Sequence, residues 1–217
     1  MNKNTKVLAL KYRPQTFEDL IGQEIVSETI LNSIKADKIP NAYLFTGIRG
    51  VGKTTIARII AKSLNCKKGI DSISKTDSCE NCHCEAIANS NHIDVLEMDA
   101  ASKTGVDDVR DLIEFSRYGP TSAKYKIFII DEVHMLSKQA FNALLKTLEE
   151  PPEYLKFIFA TTEIKKIPIT VIGIFFISVV ANMNFKYSGG SSNVFNNALN
   201  ACLLNIWTSS IIKILYL

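Results

Sequence analysis

The sequence lacks a strong excess of charge of either sign. It contains 25 Lys and Arg residues against 22 Asp and Glu residues, which gives a formal net charge of +3. Net charge of this size predicts no nucleic-acid affinity by itself. The composition also lacks extremes, because 47% of residues are hydrophobic and 22% are charged. Such values exclude a disordered chain, a collagen-like chain and a bare coiled coil.

A secretory signal is also missing, since residues 1–11 carry charges and no apolar core. The expected compartment is therefore the cytoplasm, where thiols stay reduced. Cysteines are few, at five in the chain, yet Cys79, Cys82 and Cys84 fall within six residues. In a cytoplasmic protein such a cluster predicts a metal site before a disulfide.

Residues 173–217 lack arginine, acidic residues and proline, and their only charges are Lys186 and Lys213. We therefore predict two different parts, a domain at 1–172 and a divergent tail at 173–217. Residues 167–185 carry no charge and approach the length that spans a bilayer. Proline, glycine, serine and asparagine interrupt this stretch, so no membrane anchor is expected.

Strand-like and helix-like patterns alternate along residues 1–172. Runs of apolar residues predict buried strands at 42–46, 126–130 and 157–160, with a further strand at 92–98. Helical spacing of apolar residues predicts helices at 24–36, 53–64, 105–118 and 137–150. This alternation predicts an α/β fold with a mainly parallel sheet flanked by helices.

A glycine-rich segment between the first strand and the next helix matches the G-x-x-x-x-G-K-[ST] pattern. It comprises Gly47, Ile48, Arg49, Gly50, Val51, Gly52, Lys53 and Thr54. The backbone N–H groups of such a loop and the helix N-terminus bind phosphate oxygens. Lys53 is predicted to reach the β- and γ-phosphates, and the Thr54 hydroxyl to bind Mg²⁺.

A pair of acidic residues, Asp131 and Glu132, ends the apolar run at 126–130. Parallel strands bring such residues to the edge of the sheet where ligands bind. Asp131 is predicted to hold Mg²⁺ and Glu132 to polarise the attacking water. The sequence contains no Asn-Lys-x-Asp motif for guanine, so the adjacent acids favour an ATPase.

Several segments together carry a resemblance to a known family. They are Tyr12-Arg13-Pro14, Ile21-Gly22-Gln23-Glu24, Gly50-Val51-Gly52-Lys53-Thr54-Thr55, Asp99-Ala100-Ala101-Ser102, Asp131-Glu132-Val133-His134-Met135-Leu136, the run at 141–152, and Ala160-Thr161-Thr162-Glu163. Between about residues 7 and 172 the chain closely resembles the γ/τ subunits of bacterial DNA polymerase III. Those subunits are AAA+ ATPases of the sliding-clamp loader.

The resemblance implies ATP and Mg²⁺ as cofactors. It implies that the nucleotide pocket is lined by the loop, including Val51, and by Thr55, Asp131, Tyr12, Arg13, Pro14 and Ile21. Thr162 would sense the γ-phosphate, acting with Glu132 and Lys53. The implied partners are other clamp-loader subunits, the sliding clamp and primed DNA. Polymerisation itself belongs to another subunit of that holoenzyme.

The resemblance also implies a zinc module inserted at about residues 65–91, with Cys66, Cys79, Cys82 and Cys84 as ligands. The family spacing is C-x₂-C-x₂-C for the last three, whereas this sequence has C-x₂-C-x-C. A slightly distorted four-cysteine zinc site is the preferred prediction. His83 could instead replace one cysteine, or the site could be damaged with free thiols.

The sequence departs from the family after Ile172. The family continues into Ser-Arg-Cys, whose arginine reaches a neighbour's ATP site, whereas this chain continues Gly173-Ile174-Phe175-Phe176 and has no later arginine. The family's helical lid and C-terminal collar have no counterpart. These departures predict a truncated or frameshifted copy. The alternative is a decayed, non-catalytic protein that binds nucleotide or partners.

Overall fold

The computed structural model describes residues 12–69, 82–168 and 170–173. The helices are α1 (Glu24–Lys35), α2 (Lys53–Asn65), α3 (Cys84–Ala88), α4 (Val106–Ser116) and α5 (Lys138–Glu149). The strands are β1 (Ala42–Thr46), β2 (Val95–Asp99), β3 (Lys126–Asp131) and β4 (Leu155–Thr161). Short 3₁₀ turns follow β3 at Val133–Met135 and β4 at Ile164–Lys166.

The four strands form one sheet in the order β1-β4-β3-β2, and each neighbouring pair is parallel. The register aligns the last residues of neighbouring strands, with Thr46 opposite Thr161 and Asp99 opposite Asp131. Parallel strands require crossover connections, and helices supply them here. The carboxyl ends of all four strands therefore meet along one edge, which carries the polar residues of the candidate site.

Each face of the sheet is buried under its own pair of helices. On one face, Ile127, Ile129 and Ile158 pack in one cluster with residues of α1 and α2. On the other face, Phe128 and Phe157 pack in a cluster with residues of α4 and α5. Successive strand residues point to opposite faces, so a strand buried on both faces must be apolar throughout. This explains the continuous apolar runs of β1, β3 and β4.

The structure confirms the predicted α/β fold with a parallel sheet flanked by helices. β1 has the predicted bounds. Ser137 caps α5, and its hydroxyl accepts a hydrogen bond from the Ala140 N–H at 3.2 Å. The strand predicted at 92–98 begins only at Val95. Residues 92–94 instead form a turn, in which the Asp94 N–H donates to His92 Nδ1 at 3.0 Å, and Ile93 is exposed.

Two further expectations from the sequence concern a membrane span and the tail at 173–217. Across residues 12–69, 82–168 and 170–173, the structure contains no helix with both the length and the apolar character needed to cross a membrane. Almost all of the tail predicted at 173–217 lies outside the described residues.

Candidate functional site

The glycine-rich loop joins β1 to α2 and takes a backbone path that favours glycine. Gly50 and Gly52 have φ values of 88° and 97°, in the left-handed region that L-residues rarely adopt. Gly52 directly precedes α2. The Gly47 N–H donates to the carbonyl of Thr161 at 3.2 Å, which ties the start of the loop to the end of β4. The loop therefore curls at the carboxyl edge of the sheet, over the N-terminus of α2.

Lys53, the first residue of α2, folds back along this loop. Its Nζ donates hydrogen bonds to the carbonyls of Gly47 at 3.0 Å and Ile48 at 3.1 Å. The side chain is buried. An ammonium group with several rotatable donors can exchange carbonyl partners for phosphate oxygens. Lys53 is thus held at the loop that the sequence predicts to bind phosphate.

The two residues predicted to bind Mg²⁺ touch each other. The Thr54 hydroxyl donates a hydrogen bond to Asp131 Oδ2. The other oxygen, Oδ1, accepts the backbone N–H of Glu132 at 2.9 Å. A hydroxyl and a carboxylate are both hard oxygen ligands of the kind that Mg²⁺ prefers. The pair is separated by 77 positions in the sequence and is brought together by the end of β3 and the start of α2.

Glu132 has a left-handed backbone, with φ 47°, which is uncommon for a residue with a side chain. Its carboxylate is directed to the end of β4. Glu132 Oε2 accepts the Thr162 hydroxyl at 3.0 Å and the Thr162 N–H at 3.3 Å. The structure therefore brings together the predicted catalytic acid and the predicted sensor.

An open cleft of about 450 Å³ lies beside the loop. Arg49 of the loop, Glu132 and His134 after β3, and Thr162 after β4 contribute its polar lining. Sequence reasoning gave no role to Arg49 or His134, although both lie inside the quoted motifs. Only the adjacency of β3 and β4 shows that His134 shares a cleft with Thr162.

The segment before α1 contains the remaining residues for which the resemblance implies a place in the nucleotide pocket. Tyr12 and Ile21 are 72% and 94% exposed, whereas Arg13 and Pro14 are half-buried. Lys62 of α2 donates to the carbonyl of Gln15 at 2.9 Å, which fastens this segment to α2. Exposed apolar side chains next to such an anchored segment can contact a ligand. Val51 and Thr55 are half-buried at the loop and the first turn of α2.

Three of the four predicted zinc ligands lie together, while Cys79 falls outside the described residues. The ligand atoms of Cys66, Cys82 and Cys84 lie within 4.8 Å of one another. The Sγ atoms of Cys66 and Cys82 are 3.8 Å apart, and those of Cys82 and Cys84 are 3.4 Å apart. Thiolates bound tetrahedrally to one Zn²⁺ at about 2.3 Å would be about 3.8 Å apart, so the arrangement fits a zinc ion.

Burial and the neighbouring sulfurs raise the pKa of the Cys84 thiol, and a bound cation would oppose this effect. His83 is directed to another partner. Its Nδ1 lies 2.9 Å from Nε2 of His92, and among the described residues the candidate ligand group contains cysteines alone. This geometry gives no support to the alternative in which His83 replaces a cysteine.

Comparison with known proteins gives matches to subunits of one polymerase. The sequence profile of the family described as "DNA polymerase III, delta subunit" matches residues 22–175. DNA polymerase III subunit tau/gamma of Haemophilus influenzae is 52% identical over 167 residues, covering 77% of this chain and 24% of that protein. DNA polymerase III subunit gamma of Buchnera aphidicola subsp. Baizongia pistaciae is 52% identical over 170 residues, covering 78% and 45%. The chain thus spans less than half the length of these curated relatives.

A solved structure shares the fold. A variant of RuvB from Thermotoga maritima superposes with a TM-score of 0.50 and 21% sequence identity, covering 76% of this chain and 46% of that one. At this identity the likeness concerns the fold alone.

Proposed function

We propose that this domain binds and slowly hydrolyses ATP. The chain belongs to the DNA polymerase III subunit family and matches the N-terminal region of its γ and τ subunits. In this proposal it is a P-loop AAA+ domain of a cytoplasmic clamp-loader subunit that acts in DNA replication. The observation that carries the proposal is the meeting of the loop, Lys53, Thr54 and Asp131 at one edge of the sheet.

The proposed chemistry assigns one task to each group of the site. The loop N–H groups and Lys53 would bind the phosphates, which places the γ-phosphate over the carboxyl edge. Thr54 and Asp131 would hold Mg²⁺, which would offset the phosphate charge. Glu132 would orient the attacking water, and Thr162 would contact the γ-phosphate. Tyr12, Arg13, Pro14 and Ile21 would lie on the adenine and ribose side.

The cysteine cluster is proposed as a structural zinc site with Cys66, Cys79, Cys82 and Cys84 as ligands. The sulfur separations among the three described cysteines support this assignment. The ion would fasten the end of α2 to the segment that contains α3.

We further propose that this chain by itself does not load clamps. Residues 173–217 offer no arginine to a neighbour's ATP site, and such an arginine can contribute about 10³–10⁵ in rate. The partners proposed for the whole protein are other clamp-loader subunits, the sliding clamp and primed DNA. DNA- and clamp-stimulated ATP hydrolysis by the 217-residue chain would contradict this part of the proposal.

Nucleotide titration tests the central assignment. Fluorescent ATP is titrated into the full chain with Mg²⁺, and then into Lys53→Ala and a matched Lys146→Ala control, whose lysine is exposed near the end of α5. We expect Lys53→Ala to lose binding, because the phosphates lose a cationic partner, and Lys146→Ala to bind as the wild type does. Equal affinity in the wild type and Lys53→Ala would refute the assignment.

A further inference from the structure

His134 lies two residues after Glu132, and its ring is placed between two carboxylates. The side chain is 5% exposed. Its Nδ1 is 3.4 Å from Glu132 Oε2, and its Nε2 is 3.5 Å from Glu163 Oε1. An imidazole carries two nitrogens on different sides of one rigid ring, so a single side chain can contact both carboxylates.

The orientation of this ring is fixed by β4. His134 Nδ1 is 3.1 Å from the Thr161 hydroxyl, and Thr161 is fully buried at the end of the strand. The same hydroxyl accepts the Glu163 N–H at 3.0 Å. The ring therefore stands on the strand that neighbours β3, and its position relative to Glu132 follows from the pairing of the two strands.

The two carboxylate oxygens of Glu132 differ in their hydrogen-bond partners. Oε2 accepts both donors of Thr162, at 3.0 and 3.3 Å, and has His134 Nδ1 at 3.4 Å. Within the part of the chain that the structure describes, no hydrogen bond to Oε1 is found. A general base must come within hydrogen-bond reach of the water whose proton it takes, and an oxygen that accepts no other donor is available to that water. Oε2 is the held oxygen, which leaves Oε1 for the water.

We propose that His134 is a positioning residue for Glu132, holding Oε2 against the end of β4 so that Oε1 meets the attacking water. This inference rests on the proposed ATPase function. Without the ring, the carboxylate would be located by Thr162 alone, on a backbone already in the left-handed region. The other charged groups around the ring are Glu163, its partner Lys166 at 2.9 Å, and Arg49 across the cleft.

Three variants at position 134 separate positioning from packing. In His134→Asn the amide nitrogen stands roughly where Nδ1 stood, and in His134→Gln it stands roughly where Nε2 stood. His134→Leu has neither nitrogen. With protein in excess over radiolabelled ATP, we expect His134→Leu to hydrolyse about tenfold more slowly than the wild type. We expect His134→Asn to recover most of the rate and His134→Gln little of it, with ATP affinity changed by less than about twofold in all three.

The thermal midpoint of each variant is the control for folding. A His134→Leu variant that hydrolyses at the wild-type rate would overturn the inference. Equal loss of rate in all three variants with equally lowered midpoints would also overturn it, because that pattern belongs to packing. A wild-type chain that binds ATP but shows no turnover over a day would overturn it as well, since no base would be at work.

A second measurement needs no nucleotide and stays informative even where ATP binding fails. The chain has three histidines, and long-range ¹H–¹⁵N spectra report their ring nitrogens. We expect Glu132→Gln to move the His134 nitrogens and to leave those of the His83–His92 pair in place. Unmoved His134 resonances would overturn the contact and the inference. Failure of the wild type to bind ATP would instead contradict the proposed function.

Discussion

The two edges of the sheet use their polar residues in different ways. The carboxyl edge, where β1, β3 and β4 end, carries Lys53, Thr54, Asp131 and Glu132. The amino edge, where β2 and β3 begin, carries Asp94, Lys126 and Asn65 at the end of α2. Helix α2 has 13 residues and is therefore about 20 Å long, so one helix connects the two edges.

Asp94 and Asn65 at the amino edge form hydrogen bonds to the protein's own backbone. Asp94 is fully buried and accepts the N–H groups of Thr121, Ser122 and Ala123 at 2.7–3.0 Å. Asn65 exchanges two hydrogen bonds with the backbone of Tyr125, at 2.8 and 3.0 Å. These bonds fasten the loop before β3 to its neighbours, so the groups that make them have little left to offer a ligand.

The carboxyl edge is arranged around a cleft instead. Lys53 there contacts loop carbonyls that it can exchange for phosphate oxygens, and Glu132 and Thr162 line the cleft. The comparison teaches that residue type alone does not identify function, because acidic residues and buried lysines occur at both edges. We expect amino-edge substitutions to lower stability and carboxyl-edge substitutions to lower ligand binding.

The largest effect is expected at the cysteine cluster near the amino edge, which we propose as a zinc site. Its described sulfurs are separated by 3.8 and 3.4 Å. Cys66→Ser should reduce bound zinc from one ion per chain to none, since three thiolates hold Zn²⁺ poorly in a closed structural site. Metal analysis of the purified protein measures this. Cys202→Ser is the control and should keep its zinc. A wild-type ratio near zero would show that the shortened spacing has destroyed the site.

The second effect tests the carboxyl edge. Asp131→Asn should weaken Mg²⁺-dependent ATP binding by about tenfold or more, because the ion loses a charged oxygen ligand, and should change the thermal midpoint little. Asp99→Asn is a matched control, because Asp99 occupies the same register position on β2. Titration with fluorescent ATP, with and without Mg²⁺, gives both values. Equal loss in the two variants would show that the effect is general to the edge.

Much of this architecture could be predicted from the sequence, because it depends on local pattern. The bounds of β1 follow from its apolar run, and the positions of Lys53 and Asp131 follow from motif spacing. The contact between His134 and Glu163 could not be predicted, since it depends on which strand lies beside β3. The hydrogen bonds of Asp94 could not be predicted either, because its partners are 27 to 29 positions away in the sequence.

The third effect concerns pH and stability at the amino edge. Burial would raise the pKa of Asp94, but the hydrogen bonds from Thr121, Ser122 and Ala123 outweigh this effect and lower the pKa below its ordinary value. A lowered folded-state pKa contributes stability that is present above the unfolded value and is lost as pH falls through the folded one. Asp94→Asn should therefore cost about 2 kcal/mol at pH 7.

Urea unfolding at pH 7 and at decreasing pH below 4 measures this cost. The difference between the wild type and Asp94→Asn should shrink as the pH falls. Asp107→Asn is the control, because that acid is exposed on α4 and its pairing with Arg110 should contribute little. A constant difference at all pH values would show that shape, and not charge, makes Asp94 stabilising.

The smallest effect distinguishes structural from ligand-binding polar groups within the carboxyl edge. Ser137 lies at this edge, but its hydroxyl accepts the Ala140 N–H at 3.2 Å and caps α5. Ser137→Ala should cost about 1 kcal/mol, because an N–H in the first turn of the helix loses its partner. The thermal midpoint should fall by about 2–4 °C, while ATP affinity stays unchanged. Ser137→Asp keeps a cap and should retain the wild-type midpoint. Weaker ATP binding by Ser137→Ala at unchanged stability would contradict the division, because a hydroxyl committed to its own helix would then be part of the ligand site.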